Sequence, residues 1–136
     1  MTLSPAVRRF LEERRFAVLA TIAPDAHPHQ TVMWYGLRGD DIIMNTRAGR
    51  VKDKHLRRDP RVSVCVSDGY TFVTLEGIVE LIEDAATAQE DIKRLAIRYD
   101  GPEDGERQAR EGFSKQQRIT IRMPISRVIT HGVDDE

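Results

Sequence analysis

Hydrophobic and polar positions change rhythm several times along this chain. Near the start, Val7, Phe10 and Leu11 fall at i, i+3 and i+4, the spacing of one helical face. Ser4 offers a capping oxygen and Pro5 suits a first turn, so a short helix is predicted there. From residue 16 the rhythm becomes that of strands. FAVLATIA (16–23) is rich in β-compatible side chains, PDAHP (24–28) carries turn chemistry, and HQTVMWYG (29–36) reads as a second strand. LRGD (37–40) turns again before a third strand, DIIMNT (41–46). Connections this short favour antiparallel hairpins, because a parallel crossover needs roughly a dozen residues or more.

RVSVCVSD (61–68) alternates strictly, with Val62, Val64 and Val66 on one face and Ser63, Cys65 and Ser67 on the other. After the Asp68–Gly69 turn, YTFVTLEGIVELIE (70–83) reads as one long strand with Val73, Leu75, Val79 and Leu81 on one side. Gly77 interrupts that side, which points to a bulge or a close backbone approach. Ile92, Leu95, Ala96 and Tyr99 then repeat at helical spacing within 84–101, and Gly101 can end that helix. PEDGERQAREGFSK is polar, with room for a second short helix. Ile119 and Ile121 alternate with charges in a last strand that Pro124 is expected to break, with one more short strand at 127–131. The pattern predicts a mainly β domain spanning 1–136, with about six strands in hairpin order and few helices. A small antiparallel barrel closes its own edges and suits it.

RAGRVKDKHLRRDP (47–60) has neither rhythm and reads as a loop leading into one or two helical turns, ended by Pro60. It also carries the chain's main charge asymmetry. Residues 47–61 hold seven basic residues against Asp53 and Asp59, whereas 80–112 have a net charge of −5. One reading is a solvated basic face balanced by a solvated acidic one. A sharper reading singles out Thr46, Arg50 and Lys52, where a strand ends and a helical turn begins. A hydroxyl, a guanidinium fork, an ammonium and free backbone amides can converge there on a phosphate.

Composition narrows the alternatives. A length of 136 residues fits one domain, able to hold a core without metal or disulfide. Charged residues make up 32%, yet the net charge is −1, and no aromatic residue lies between 47 and 61 to stack on bases, so no nucleic-acid partner is expected. The one cysteine, Cys65, excludes an intrachain disulfide and a cysteine-built zinc site and reads as a small packed residue. His27, His29, His55 and His131 form no HExxH pattern and read as exposed turn residues, so no metal is expected. No GxSxG elbow is present. One of Trp34 and Tyr35 is expected in the core, the other as a flat wall. No apolar run approaches a span of ~18 residues, and the opening segment is too charged for a signal peptide, so a cytoplasmic protein without membrane contact is expected.

FAVLATIAPDAHPHQTVMWY, TRAGRVKDKHLRRDPRVSVCV and FVTLEGIVEL together resemble the pyridoxamine-phosphate-oxidase-like, flavin/deazaflavin-binding split β-barrel family, over about residues 10 to 130. The most specific piece is R-x-K-x-x-x-L-x-x-D-P-R-V, Arg50 to Val62, followed in its strand by Glu76–Gly77. The flavour is that of the small F-420-dependent reductases. The resemblance implies a six-stranded antiparallel split barrel that forms a homodimer with cofactor sites at the interface. It implies that Arg50 and Lys52 bind the cofactor phosphate, helped by Thr46 and the backbone around Val51. It implies that the strand Gln30, Thr31, Val32, Met33 lies along the tricyclic ring, and that the partner supplies residues near Tyr70 and Phe72. The implied activity is hydride transfer from reduced F-420 to an unsaturated or conjugated small-molecule substrate, with FMN as the alternative cofactor. A non-catalytic barrel holding a cofactor or haem-like ligand is a further alternative. Lys54, Arg57 and Arg58 are surplus cations that can meet the acidic tail of F-420 or, equally, face solvent from the helix. Tyr35, Tyr70 and His29 are candidate proton donors if they face the ring. Pyridoxamine phosphate oxidases proper carry an arginine-containing C-terminal motif that is lacking here, so vitamin B6 oxidation is not expected.

Overall fold

The computed structural model describes residues 1–133. Helix α1 (Pro5–Glu12) precedes strands β1 (Ala17–Ile22), β2 (Pro28–Met33), β3 (Gly36–Arg38) and β4 (Asp41–Arg47). Helix α2 (Val51–Arg58) leads to β5 (Arg61–Asp68), β6 (Thr71–Ile78) and β7 (Glu80–Ile82). Helices α3 (Ala85–Asp100) and α4 (Pro102–Glu111) and a 3-10 turn (Phe113–Lys115) precede the last described strand, β8 (Arg118–His131). The strands pair antiparallel in the order β2-β1-β5-β6-β8-β4-β3, with β7 also on β8. The curled sheet is a split β-barrel, and Leu19, Met44, Val64, Leu75, Ile121 and Met123 fill it without solvent exposure. Each such side chain contributes about 1.5–3 kcal/mol by leaving water.

The local readings hold where periodicity was clear. Ser4 caps α1 by accepting from the Val7 amide at 3.2 Å, and Val7, Phe10 and Leu11 are buried. Val62, Val64 and Val66 point inward. Asp84 caps α3, Gly101 ends it at φ +93°, and Ile92, Leu95, Ala96 and Tyr99 form its buried face. Helix α3 lies on β4 and β8: Asn45 Nδ2 donates to the Ala88 carbonyl at 2.9 Å, and buried Asp91 accepts from Thr120 Oγ1 at 2.7 Å and pairs with Arg38. No described helix is long and apolar enough to cross a membrane.

The described strands number eight where about six were expected, and two expected runs divide. After Met33 the chain turns in: Tyr35 is fully buried, and its hydroxyl donates to the Leu11 carbonyl at 2.7 Å. A short β3 then begins at Gly36, the last residue of the expected 29–36 run, and continues through Leu37 and Arg38, which were expected to turn. The 70–83 run divides at Val79, whose amide donates to the Pro60 carbonyl at 2.9 Å; β6 before it pairs with the later half of β8, and β7 after it pairs with the earlier half.

At the other end, two expected strands join, and Pro124 does not break β8. Residues up to Pro124 pair with β4, and pairing with β6 runs from Ile125 onward. The missing proline N–H thus falls where the strand passes from one side of the barrel to the other. Gly77 faces this corner across a register shift, so both readings of it are met: a bulge and a close approach. A Cβ there would collide with the Pro124 carbonyl oxygen and lie 2.9 Å from Met123 Cγ. We expect Gly77→Ala to destabilise the fold by about 1–3 kcal/mol, since backbone cannot step aside as a side-chain end does. A denaturant midpoint unchanged from wild type would contradict this.

Candidate functional site

Four cations gather where β4 ends and α2 begins. Arg47, the last residue of β4, lies directly opposite Arg118, the first of β8. Arg50 is the residue before α2, and Lys52 lies in its first turn. Burial, then the charges of Arg50 and Arg118, hold the Lys52 amine below the ordinary lysine value. Burial, then Arg50 and Arg47, bring Arg118 down to about 10. Among the described residues, no carboxylate pairs with any of the four. Asp53, the acidic residue in that turn, is buried and engaged elsewhere. It accepts from the Gly49 amide at 2.8 Å and from Arg57 Nε at 2.9 Å, bracing the loop that carries Arg50. Arg50 makes no side-chain cap, so the first-turn amides of α2 remain for an outside acceptor. Like charges gathered without a counter-ion, beside free amides, describe an anion site. Thr46 is buried next to Arg47, and Val51 is half exposed.

Strand β2 ends the sheet order, pairing with β1 on one edge. Gln30 and Val32 point outward, while His29, Thr31 and Met33 turn the other way. Thr31 Oγ1 and His29 Nδ1 are buried without a hydrogen-bond partner, an arrangement that native structures seldom leave unexplained. The His29 ring stands edge-on to His55 at 5.2 Å, and His55 Nδ1 lies 2.9 Å from Thr21 Oγ1. His55 is therefore buried against β1 and is not the exposed turn residue expected from the sequence. It lies three residues past Lys52 in α2, so one helix carries both the cationic corner and a contact to the open-edged strand. These residues fit a ligand that combines a phosphate with a flat polar ring: cations and amides for the first, open main chain and Thr31 Oγ1 for the second.

The other expected residues lie apart. Tyr70 is 91% exposed at the β5–β6 turn, and Phe72 stacks on His131 at 5.8 Å. No hydrogen bond or ring contact of the described residues joins either to the corner. Tyr35 is the core aromatic. Its phenol is pushed up to about 12 by burial, against the opposing pull of Arg98, and already donates to Leu11. Trp34 is the wall, stacked on Tyr99 at 5.3 Å. Cys65 is half-buried on the outward face.

Two of the surplus cations are engaged: Arg57 pairs with Asp53 and with Glu83 at 2.7 Å, and Arg58 donates to the Ile22 carbonyl. The residue that sequence reasoning missed is Arg118. Only its register opposite Arg47 would have revealed it, and that pairing spans about half of the chain.

The sequence profile of the pyridoxamine 5'-phosphate oxidase family matches residues 3–130. A conserved hypothetical protein from Mycobacterium tuberculosis is 32% identical with a TM-score of 0.81, covering 96% of this chain and 85% of that one. An F-420 reductase is 24% identical with a TM-score of 0.72, covering 90% of this chain and 94% of that one. HutZ, the heme storage protein from Vibrio cholerae, is 16% identical with a TM-score of 0.73, covering 98% and 97%. The last two likenesses are of fold alone.

The perturbed amine makes a prediction about the ligand-free protein. The folded chain holds the Lys52 proton less tightly than the unfolded chain does, so its contribution to stability rises as pH climbs toward 10.5. Lys52→Met should flatten that rise and raise the low-salt denaturation midpoint at about pH 8. Equal pH slopes for variant and wild type in urea melts would refute it.

Proposed function

Since the chain belongs to the pyridoxamine 5'-phosphate oxidase family, we propose that it is a cytoplasmic, F-420-dependent oxidoreductase that works as a homodimer. The observation that carries this reading is the uncompensated Arg50–Lys52 corner, joined through α2 to the open-edged strand β2. Arg50, Lys52 and the first amides of α2 would hold the cofactor phosphate. Main-chain groups of Gln30–Met33 and the unpartnered Thr31 hydroxyl would hold the ring. When bound, the reduced deazaflavin would supply the hydride for an unsaturated or conjugated acceptor. The chain's own part is to orient the ring and exclude water from one of its faces.

The outward face of the sheet supports assembly. Val18, Val32, Cys65, Phe72 and Ile129 lie on it, and Val32 and Ile129 are 68% and 37% exposed. A groove of about 420 Å³ opens on the same face, between Ala20, Ser63 and Glu76. A second copy packed there would bring its Tyr70 and Phe72 toward the ring, which gives a role to the two residues that the single chain leaves apart.

Titration of the purified protein with F-420 and with FMN tests the cofactor, and tighter F-420 binding is expected. Preference for FMN would move the protein to the flavin branch. Arg50→Ala with Lys52→Ala should weaken binding by roughly 3–6 kcal/mol, since hydrogen bonds to charged groups contribute about 1.5–3 each; unchanged affinity with an intact fold would remove the phosphate assignment. Val32→Glu should leave the protomer folded, shift sedimentation to a monomer, and abolish turnover. A variant that stays dimeric would place the interface elsewhere.

A further inference from the structure

Arg118 and Arg47 are not explained by a single phosphate at Arg50 and Lys52. They are direct cross-strand neighbours of like charge, an arrangement that destabilises a sheet unless something neutralises it. Arg118 is half-buried and held in one pose: its Nε donates to Asn45 Oδ1 at 3.0 Å, its Nη1 donates to Gln116 Oε1 at 2.9 Å, and its guanidinium lies over the Phe113 ring at 4.9 Å. Those acceptors are neutral, so they fix the group and leave its charge uncancelled. Asn45 is itself fixed to α3 through the Ala88 carbonyl at 2.9 Å. A desolvated, positioned guanidinium facing a second one is built to receive an anion. Of the other cations on α2, Arg57 and Arg58 at its far end are already bonded within the chain, and Lys54 is exposed.

We propose that Arg47 and Arg118 form a second anion subsite beside the Arg50–Lys52 corner, and that it takes a carboxylate of the acidic tail beyond the cofactor phosphate. The subsite follows from this chain's residues alone; the identity of its ligand rests on the F-420 reading above. The arrangement also gives a basis for choice between cofactors. FMN ends at its phosphate and leaves Arg47 and Arg118 facing each other, whereas a tailed deazaflavin neutralises them.

Two arms separate the subsite from the cofactor. In the first, thermal melts of the full chain are compared with and without inorganic pyrophosphate at matched ionic strength. Pyrophosphate should raise the Tm of wild type, and Arg118→Gln and Arg47→Gln should each lose at least about half of the shift. Arg118→Lys should keep most of it, as should Lys115→Gln, which removes an exposed charge nearby. In the second arm, wild type and Arg118→Gln are titrated with F-420 carrying its glutamate tail, with the tail-free form, and with FMN. Arg118→Gln should weaken the tailed cofactor by about tenfold or more and leave the other two within about twofold. An equal loss for tailed and tail-free forms would overturn the proposal and make Arg118 part of the phosphate site. A pyrophosphate shift indifferent to Arg118 and Arg47 would overturn the subsite itself. If wild type bound neither F-420 nor FMN while the pyrophosphate shift still depended on Arg118, the cofactor reading and the tail assignment would fall and the anion subsite would stand.

Discussion

The carbonyl of Pro124 lies where a side chain on residue 77 would have to be, and glycine is what lets the two backbones meet. At that contact β8 stops pairing with β4 and begins pairing with β6. One continuous strand therefore serves both sides of the barrel, and the proline with no amide to donate sits at the exchange. The register set there runs back along β8 to its first residue and fixes Arg118 opposite Arg47. A backbone contact at the middle of the strand thus sets the register that places the charges at its start.

What marks the site is a set of groups the fold leaves unsatisfied. Elsewhere, buried or half-buried charges find partners: Asp91 has Arg38 and Thr120, Arg122 has Asp41 and Glu80, and Asp53 has Arg57. Against that background, Arg47, Arg50, Lys52 and Arg118 gather without a carboxylate among the described residues, and Thr31 and His29 keep buried polar atoms without partners there. Exposed ion pairs contribute little to stability, so missing pairs on a solvated surface would mean little. Lys52 and Arg118 are partly desolvated, which makes the missing partner count. Asp53 holds the geometry by binding the Gly49 amide and Arg57 instead of the cations beside it.

The sequence made legible whatever depends on local period and local chemistry. Val62, Val64 and Val66, the caps Ser4 and Gly101, and the interruption at Gly77 could all be read from neighbours a few positions away. The strand-to-helix corner at Arg50 and Lys52 was legible for the same reason, since its parts lie within one short segment. Illegible features needed tertiary pairing. Pro124 reads as a strand breaker until β8 is seen to change partners at it. His55 reads as a surface residue until Thr21 and His29 are found against it. Arg118 reads as a polar alternation partner of Ile119 until β4 is laid beside β8.

The dependence on β8 has a kinetic side. Its partners β4, β6 and β7 all precede it in the chain, β4 by some seventy residues, so its pairings close long loops. Until β8 docks, β4 and β6 each present an edge with unpaired amides and carbonyls. Non-local pairing of this kind slows folding and lengthens the time during which open edges can meet the wrong strand. The early hairpin of β1 and β2 and the pair β5–β6 close short loops and are free to form first. The barrel then waits on one late strand, and the cationic site comes into being only when that strand is in place.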